Sequence, residues 1–362
     1  MTSMEIRPAT VVIDEFHHAA AKSYRTLIEH LKPKFLLGLT ATPFRGDRQD
    51  IWKLCGKNTI VNYELRGAIE AGVLVPYHYY GCFDNIDYTK LSAHGVNYTV
   101  RDLEHALIIP ERDQAIIQKW RELSDRRPSI AFCCSVKHAQ RVAASFNEAG
   151  IAAVAYTSII SREDRLSILE RFKDGRVTVL VVVDVMNEGA DLPFVETLLF
   201  LRPTDSKRIF LQQLGRGLRR SVGKAHCNVI DFIGNFRNAY RIVEYQGLLP
   251  LEEDDAFVGS RDPRTPKEML NLPLGCEVHF DDKVIDVFAS QALDPAHATR
   301  YNIGRILIYQ YHKLQRQLGR APKKVDVDRL SRLGSDIYAL LFGSWKRFEQ
   351  TISEVASAST RR

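Results

Sequence analysis

The sequence lacks the features that mark zinc-binding, membrane-embedded and exported proteins. Its six cysteines include no Cys-x-x-Cys pair, so the spacing of a zinc site is absent. The longest mostly aliphatic run, residues 177–183, is far too short to span a membrane. The first ten residues contain no apolar core of a signal peptide. We therefore expect a cytoplasmic protein without a membrane partner, in which Cys133 and Cys134 are buried free thiols.

Strong charge is also absent. The 362 residues carry a formal net charge of +6, which permits an anionic partner without proving one. The apolar content of 45% and the charged content of 26% are typical of a globular protein. A chain of this length predicts two or three domains, each with its own core.

Strand and helix patterns alternate along much of the chain. Residues 9–13 form a short β-branched run typical of a strand buried on both faces. Between residues 111 and 245, short apolar runs alternate with helical patterns, which predicts a parallel, doubly wound α/β sheet. From residue 301 onwards the pattern is helical and predicts a small all-α domain. Only two strands are predicted before residue 75, so we expect the first domain to be a partial one.

These patterns predict six segments. Residues 76–110 have weak periodicity, which indicates a linker with some strand character, and the aromatic residues at 77–80 favour packing over base stacking. The predicted organisation is a partial first lobe (1–75), a linker (76–110), a complete second lobe (111–245), a connector (246–295), a helical domain (296–352) and a disordered tail (353–362).

Two groups of polar residues follow the first two predicted strands. Asp14, Glu15 and His17 come after one strand, and Thr40 and Thr42 after the next. Ligands of open α/β sheets bind at this carboxyl edge. One carboxylate of an Asp-Glu pair can hold Mg²⁺ while the other orients or deprotonates a water. The alternative is a strand end with solvated charges, followed by threonines that begin a turn.

Arginines are concentrated in residues 211–220. Arg216 and Arg219 are three residues apart and would share a face of a helix or tight turn. Two guanidinium groups on one face suit a phosphate. Gln212 adds an amide one turn earlier, and Gly215 lets backbone pass close to a ligand. The alternative is a basic surface helix with a glycine break.

Taken together and in this order, these residues resemble the motifs of superfamily two helicases and translocases of the Asp-Glu-x-His type. The resemblance covers roughly residues 10–240. Its parts are Asp14 to His17 (similar to motif II), Thr40 to Pro43 (motif III), Gly189, Asp191 and Pro193 (motif V), and Gln212, Gly215, Arg216 and Arg219 (motif VI).

The resemblance implies two RecA-like lobes that bind ATP and Mg²⁺ between them, with a nucleic acid on the opposite face. It also implies a role for each residue. Asp14 would serve Mg²⁺, Glu15 would be the catalytic base and His17 would link the site to the neighbouring lobe. Thr40, Thr42 and Gln212 would couple hydrolysis to lobe movement. Gly189, Asp191 and Gly215 would bind nucleotide, and Arg216 and Arg219 would be arginine fingers.

One family feature is missing. No Gly-x-x-x-x-Gly-Lys-Ser/Thr string occurs in the sequence, and only thirteen residues precede Asp14. That loop supplies the backbone donors and the lysine that hold the phosphates. We therefore expect no ATP hydrolysis by this chain alone, and a separate chain could supply the missing half. A smaller departure is Val183 before Asp184, where the family usually has threonine.

The helical region carries a second resemblance, to the repeat associated with homing endonucleases, a small DNA-binding unit. Residues 311–322 and 338–346 carry it. It implies duplex DNA rather than RNA as the partner, with phosphate contacts from Arg316, Arg320, Lys323 and Lys324. The alternative is that these charges form a solvated face.

Two other functions are compatible with parts of the pattern. A non-catalytic DNA-binding or regulatory protein could retain the motor fold without turnover. An unrelated α/β enzyme could use Asp191 or His17, but that hypothesis leaves the ordered set of motifs unexplained.

Overall fold

The computed structural model describes residues 8–16, 19, 22–40, 54–56, 58–61, 65–91, 93–94, 97–183, 191–203, 206–235, 239, 242, 272–291, 300–331 and 333–360. The chain divides into two compact units, Met1–Tyr63 and Glu64–Arg362. Within the described ranges, no helix has the length and apolar character needed to cross a membrane.

The first unit is a small β-α-β arrangement. Strand β1 (Thr10–Ile13) pairs in parallel with β2 (Phe35–Gly38), and helix α1 (Lys22–Leu31) connects them. The predicted strands are confirmed, and the second ends at Gly38, two residues before Thr40. Its buried core contains Ile13, Phe16 and Ala19.

The second unit is organised around one parallel sheet. The described strands of the second unit are β3 (Tyr77–Phe83), β4 (Ala93–His94), β5 (Asn97–Tyr98), β6 (Ser129–Phe132), β7 (Ala153–Tyr156), β8 (Val179–Val182), β9 (Thr197–Phe200), β10 (Cys227–Ile233) and β11 (Glu277–Phe280). Seven of them form a sheet in the order β11-β3-β10-β9-β6-β8-β7, and every described pairing in it is parallel. The β4 and β5 strands form a short antiparallel pair.

Helices cover both faces of this sheet. The first five are α2 (Leu65–Glu70), α3 (Val100–Leu107), α4 (Pro110–Leu123), α5 (Val136–Glu148) and α6 (Arg162–Lys173), and α7 (Lys207–Gly217) follows β9. Successive side chains of a strand point to opposite faces. Accordingly, Val181 packs in the core beneath α4 and α5, whereas Val182 packs in the core that contains the apolar residues of α6 and α7. The predicted doubly wound parallel sheet is confirmed.

Two strands of this sheet come from segments that we expected to be connections. The expected linker supplies β3 and the expected connector supplies β11, which pairs with β3. Tyr77 and Tyr79 are fully buried, and the Tyr79 hydroxyl donates to the Asp231 carboxylate. A tyrosine can serve as a core residue when its hydroxyl has such a partner. The tyrosine- and histidine-rich composition of residues 77–83 therefore concealed an interior strand of the sheet.

Helix α8 (Asp282–Gln291) lies in the segment that we expected to be a connector. The region from residue 301 onwards is helical, as predicted, with α9 (Arg300–Leu318), α10 (Lys324–Leu330), α11 (Ser335–Phe342) and α12 (Trp345–Thr360). Its buried residues belong to the same core as one face of the sheet. Helices α11 and α12 are separated at Gly343, where φ is +84°. The segment expected to be a disordered tail from residue 353 is helical to Thr360, since no Gly or Pro interrupts it.

Candidate functional site

The acidic pair of the first unit lies immediately after β1. Glu15 has φ of +48°, and its N–H donates to Asp14 Oδ1 at 2.8 Å. On either side of the pair, Leu39 N donates to the Ile13 carbonyl at 2.9 Å and Phe16 N donates to the Leu39 carbonyl at 2.8 Å. The left-handed conformation costs a non-glycine residue about 1–2 kcal/mol. Backbone held in such a conformation by its surroundings is typical of functional sites.

Gly38, the last residue of β2, packs closely against the segment that follows β1. A Cβ atom on Gly38 would lie 2.4 Å from the ring of Phe16, whose side chain is buried. Glycine therefore allows the segment after β1 to pack against β2. Half-buried Thr40 follows, so the structure brings Asp14, Glu15 and Thr40 to one edge of the two strands. His17 and Thr42 lie outside the described residues.

The residues at this edge fit a magnesium ion that also binds phosphate. Asp14 is exposed, and within the described part of the chain no group of three or more His, Cys, Asp or Glu side chains is arranged to enclose a metal. Mg²⁺ typically keeps several waters and takes one or two carboxylates together with substrate phosphates. One exposed carboxylate meets that requirement, whereas a metal held by protein ligands alone would need more.

The arginine segment of the second unit is formed by α7 and the residues after it. The Ser206 side chain accepts from Ile209 N at 3.4 Å and caps the helix start. Half-buried Arg216 lies in the last turn, whereas Arg219 lies beyond the helix end and bridges antiparallel to Leu74. The two arginines therefore do not share one helix face, because the helix ends between them.

Arg219 forms an ion pair with Asp191. Its Nη1 lies 2.5 Å from Asp191 Oδ1, and the two side chains are 38% and 75% exposed, respectively. The structure thus brings together residues from two separate motifs at a solvent-facing position. Gly189, which was expected to act beside Asp191, lies outside the described residues.

The remaining motif residues lie along α7. Gln212 is half-buried. A Cβ atom on Gly215 would have no heavy atom within 4 Å, whereas one on Gly217 would lie 2.5 Å from Cys227 Sγ. Of these two positions, therefore, only 217 requires glycine for close packing. The space beside Gly215 is open to an approaching group.

Sequence reasoning missed Lys224. Its ammonium group donates to the carbonyls of Pro193, at 3.0 Å, and Val195, and the residue is 8% exposed. Burial lowers the pKa of Lys224. A lysine placed between a turn glycine and a buried strand is the sequence signal that could have indicated it.

The four basic residues expected to contact DNA differ in their surroundings. Arg316 lies 2.9 Å from Asp282 Oδ1. Arg320 binds Asp326 through both guanidinium nitrogens, at 2.7 and 3.0 Å, and this contact lowers the pKa of Asp326 to about 2. Lys323 and Lys324 are exposed at the start of α10. All four side chains are exposed, but among the described residues an ion pair engages only the two arginines.

Comparison with protein families identifies two matching stretches. The model described as "Helicase conserved C-terminal domain" matches residues 112–221, and the model described as "Type III restriction enzyme, res subunit" matches residues 4–45. The second stretch contains the acidic pair of the first unit. The first stretch ends just after the arginine segment.

Three curated relatives each match between 59% and 68% of this chain. A 51.5 kDa protein of Lactococcus phage isolate 7-9 is 31% identical over 240 residues, covering 64% of this chain and 50% of that protein. IRC3 of Saccharomyces cerevisiae, to which an ATP-dependent helicase function is ascribed, is 26% identical and covers 68% of this chain and 36% of that protein. The DNA 3'-5' translocase XPB2 of Sulfurisphaera tokodaii is 26% identical, covering 59% and 56%. The chain spans between 36% and 56% of the length of these relatives.

Two solved structures share the fold. A fragment assigned as an HsdR subunit of a type I restriction enzyme from Vibrio vulnificus YJ016 has a TM-score of 0.52 at 24% identity, covering 62% of this chain and 43% of that one. The ATP-dependent Type ISP restriction-modification enzyme LlaBIII bound to DNA has a TM-score of 0.51 at 13% identity, covering 88% and 26%. The family models and the relatives show that the chain belongs to the superfamily two helicases and contains their C-terminal domain, and the two solved structures show the RecA-like fold.

Proposed function

We propose that this polypeptide supplies the second motor lobe, and the Asp-Glu part of the first lobe, of an ATP-dependent DNA translocase. The ion pair between Arg219 and Asp191 carries the proposal. It joins the two motifs that the helicase resemblance assigns to nucleotide binding, and Arg216 lies in the adjacent helix turn. A guanidinium at such a position suits the charge that develops on a transferring phosphate.

The residues of the two units have distinct chemical roles in this proposal. Asp14 holds Mg²⁺ through its carboxylate, and Glu15 orients or deprotonates the attacking water. Arg216 and Arg219 stabilise the negative charge on the γ-phosphate, an effect worth about 10³ to 10⁵ in rate for arginine fingers. The magnesium ion neutralises phosphate charge when it is bound. Thr40 and Gln212 couple hydrolysis to movement of the lobes.

A segment outside these 362 residues completes the site, in the same polypeptide or in another. The sequence contains no phosphate-binding loop, and the two strands of the first unit leave Val12 and Phe35 56% and 49% exposed. Parallel strands normally lie in sheets that are covered on both faces. We therefore propose that the completing segment covers this exposed face of β1 and β2 and brings the loop that holds the phosphates.

Duplex DNA is the proposed track. The relative XPB2 is named a DNA translocase, and LlaBIII was solved bound to DNA. Lys323 and Lys324 at the start of α10 provide exposed cations for phosphate contacts. The proposed setting of the protein is the cytoplasm.

Phosphate release, measured with and without duplex DNA, tests this proposal. The 362-residue chain alone should show no DNA-stimulated turnover. A chimera should gain such turnover when a helicase first-lobe segment with a Gly-x-x-x-x-Gly-Lys-Ser/Thr phosphate-binding loop is joined before β1, and Glu15→Gln should abolish it. The competing function, a DNA-binding protein without catalysis, predicts salt-sensitive DNA binding that neither ATP nor Arg216→Ala changes. A folded, ATP-binding chimera with that behaviour would replace our proposal.

A further inference from the structure

A lysine is buried beneath the segment that contains Asp191. Lys224 is 8% exposed, and its ammonium group donates to the carbonyl oxygens of Pro193 and Val195. No ion pair to Lys224 occurs among the described residues, and the nearby Glu196 carboxylate binds Arg127 instead. A buried cation is costly unless it is hydrogen-bonded. The contacts of Lys224 are therefore those of a clamp on backbone carbonyls.

This clamp lies close to the ion pair of the candidate site. Asp191 precedes Pro193 by two residues, and Arg219 precedes Lys224 by five. The chain returns between Arg219 and Lys224 through a turn in which Lys224 N donates to the Ser221 carbonyl at 3.2 Å. Residues 191–195 and 219–224 are thus joined at two points, one by charge and one by carbonyl contacts.

The two segments are held in different ways. The arginine segment is fixed from its other side, because Leu218 accepts from Val75 N at 2.9 Å and Arg220 donates to the Gly72 carbonyl at 2.9 Å. The Asp191 side chain is 75% exposed, so packing does not fix its position. Its position depends on the backbone that follows it, and Lys224 contacts that backbone twice.

We propose that Lys224 is a positioning residue, which holds residues 193–195 so that the Asp191 carboxylate meets Arg219 at the nucleotide site. Its influence on catalysis rests on the proposed function. Its influence on the ion pair does not, and can be measured in the absence of nucleotide.

The first test measures the ion pair in the full chain. Lys224→Met keeps the length of the side chain and removes its donors. Lys313→Met is a matched control, because Lys313 is also largely buried, with a side chain 12% exposed and an ion pair to Asp286 at 2.7 Å. The readout is the hydrogen exchange of the Arg219 guanidinium by NMR. Lys224→Met and, as the reference for a lost ion pair, Asp191→Asn should each speed this exchange about tenfold, in keeping with coupling inside one network.

The second test is a double-mutant cycle in the chimera that contains the phosphate-binding loop. Lys224→Met and Arg219→Gln should each lower the DNA-stimulated kcat. The double variant should be about as slow as the slower single variant, because both changes act on the same ion pair between Asp191 and Arg219. Strictly multiplicative losses would overturn the inference.

The two tests separate the possible failures. If Lys224→Met lowers the melting temperature but leaves Arg219 exchange unchanged, Lys224 has only a structural role and the inference is wrong. If the exchange responds as expected while the chimera, folded and able to bind ATP, shows no turnover, the positioning of Arg219 stands and the proposed function fails.

Discussion

The Arg112 guanidinium lies 3.0 Å from the Asp84 carboxylate, and both side chains are almost completely buried, at 3% and 2% exposed. The Tyr88 hydroxyl also donates to Asp84, at 3.1 Å, and Arg112 donates to the Leu201 carbonyl at 3.0 Å. Asp84 directly follows β3, and Arg112 lies on α4. This ion pair therefore fixes the expected linker to the body of the second lobe.

Removing one partner of this pair should destabilise the second unit strongly. Asp84→Ala leaves the Arg112 charge buried without its carboxylate, and such losses cost about 3–5 kcal/mol. Urea denaturation measures the change in the free energy of unfolding. Glu122→Ala is the control, because it removes an exposed partner of Lys119 and should change stability little. If both substitutions change the free energy of unfolding equally, the buried ion pair contributes no more to stability than the exposed one.

The strands that could be predicted from the sequence are those that are buried on both faces and are therefore apolar throughout. Val179 to Val182 is uniformly β-branched or aliphatic and entirely buried, so the pattern is unambiguous. Residues 77–83 and 277–280 contain tyrosine, histidine and glutamate, and they enter the sheet through partners far away in the chain. The Tyr79 contact with Asp231 joins residues 152 positions apart, and local periodicity contains no information about it.

The candidate site was predictable only as far as its motifs are contiguous. Asp14 and Glu15 follow a strand, as expected. The pairing of Asp191 with Arg219 spans 28 positions and depends on how two loops meet. Helix α7 ends at Gly217, two residues before Arg219, and Gly217 packs tightly against Cys227. Neither relationship can be deduced from spacing along one helix.

Asp231 should make the stability of the fold depend on pH. Burial raises the pKa of this carboxyl from about 3.8 to about 7. The folded protein therefore retains a proton that the unfolded chain has lost, and stability should fall as the pH rises from about 4 to about 7. Asp231→Asn should remove this fall, as measured by urea denaturation at a series of pH values.

The comparison with wild type also separates Asp231 from His138. Burial lowers the pKa of His138 to about 3, so its contribution runs in the opposite direction: stability falls as the pH falls below about 6.5. His138 is present in both proteins, and its contribution cancels in the difference between them. Parallel stability curves between pH 4 and 7 would show that Asp231 titrates normally.

Two glycines of α7 should respond oppositely to alanine. Gly217→Ala places a Cβ atom against Cys227 and Leu198 and should cost about 1–3 kcal/mol. Gly215→Ala enters open space inside a helix and should stabilise the isolated chain by about 0.5–1 kcal/mol. Thermal and urea unfolding of both variants measures these changes. A destabilising Gly215→Ala would contradict the open space described here.

Lys324 should contribute more to DNA binding than Arg320. Lys324 is exposed, whereas Arg320 is bound by both oxygens of Asp326. Lys324→Gln should weaken duplex binding and reduce the slope of log affinity against log salt by about 1. Fluorescence anisotropy across a salt series gives both quantities, with Arg320→Gln as the comparison. If Lys324→Gln has no effect, this end of α10 does not contact DNA.

The most direct measurement is single-turnover phosphate release by the chimera with duplex DNA and saturating ATP. Arg216→Ala should slow the chemical step by about 10³ to 10⁵, the range of arginine fingers. Arg176→Ala, which removes an exposed arginine paired with Asp174, should leave the rate unchanged. Release by Arg216→Ala at the wild-type rate would contradict the assignment of this arginine to the nucleotide. Robust DNA-stimulated release by the 362-residue chain alone, abolished by Glu15→Gln, would contradict the need for a completing segment.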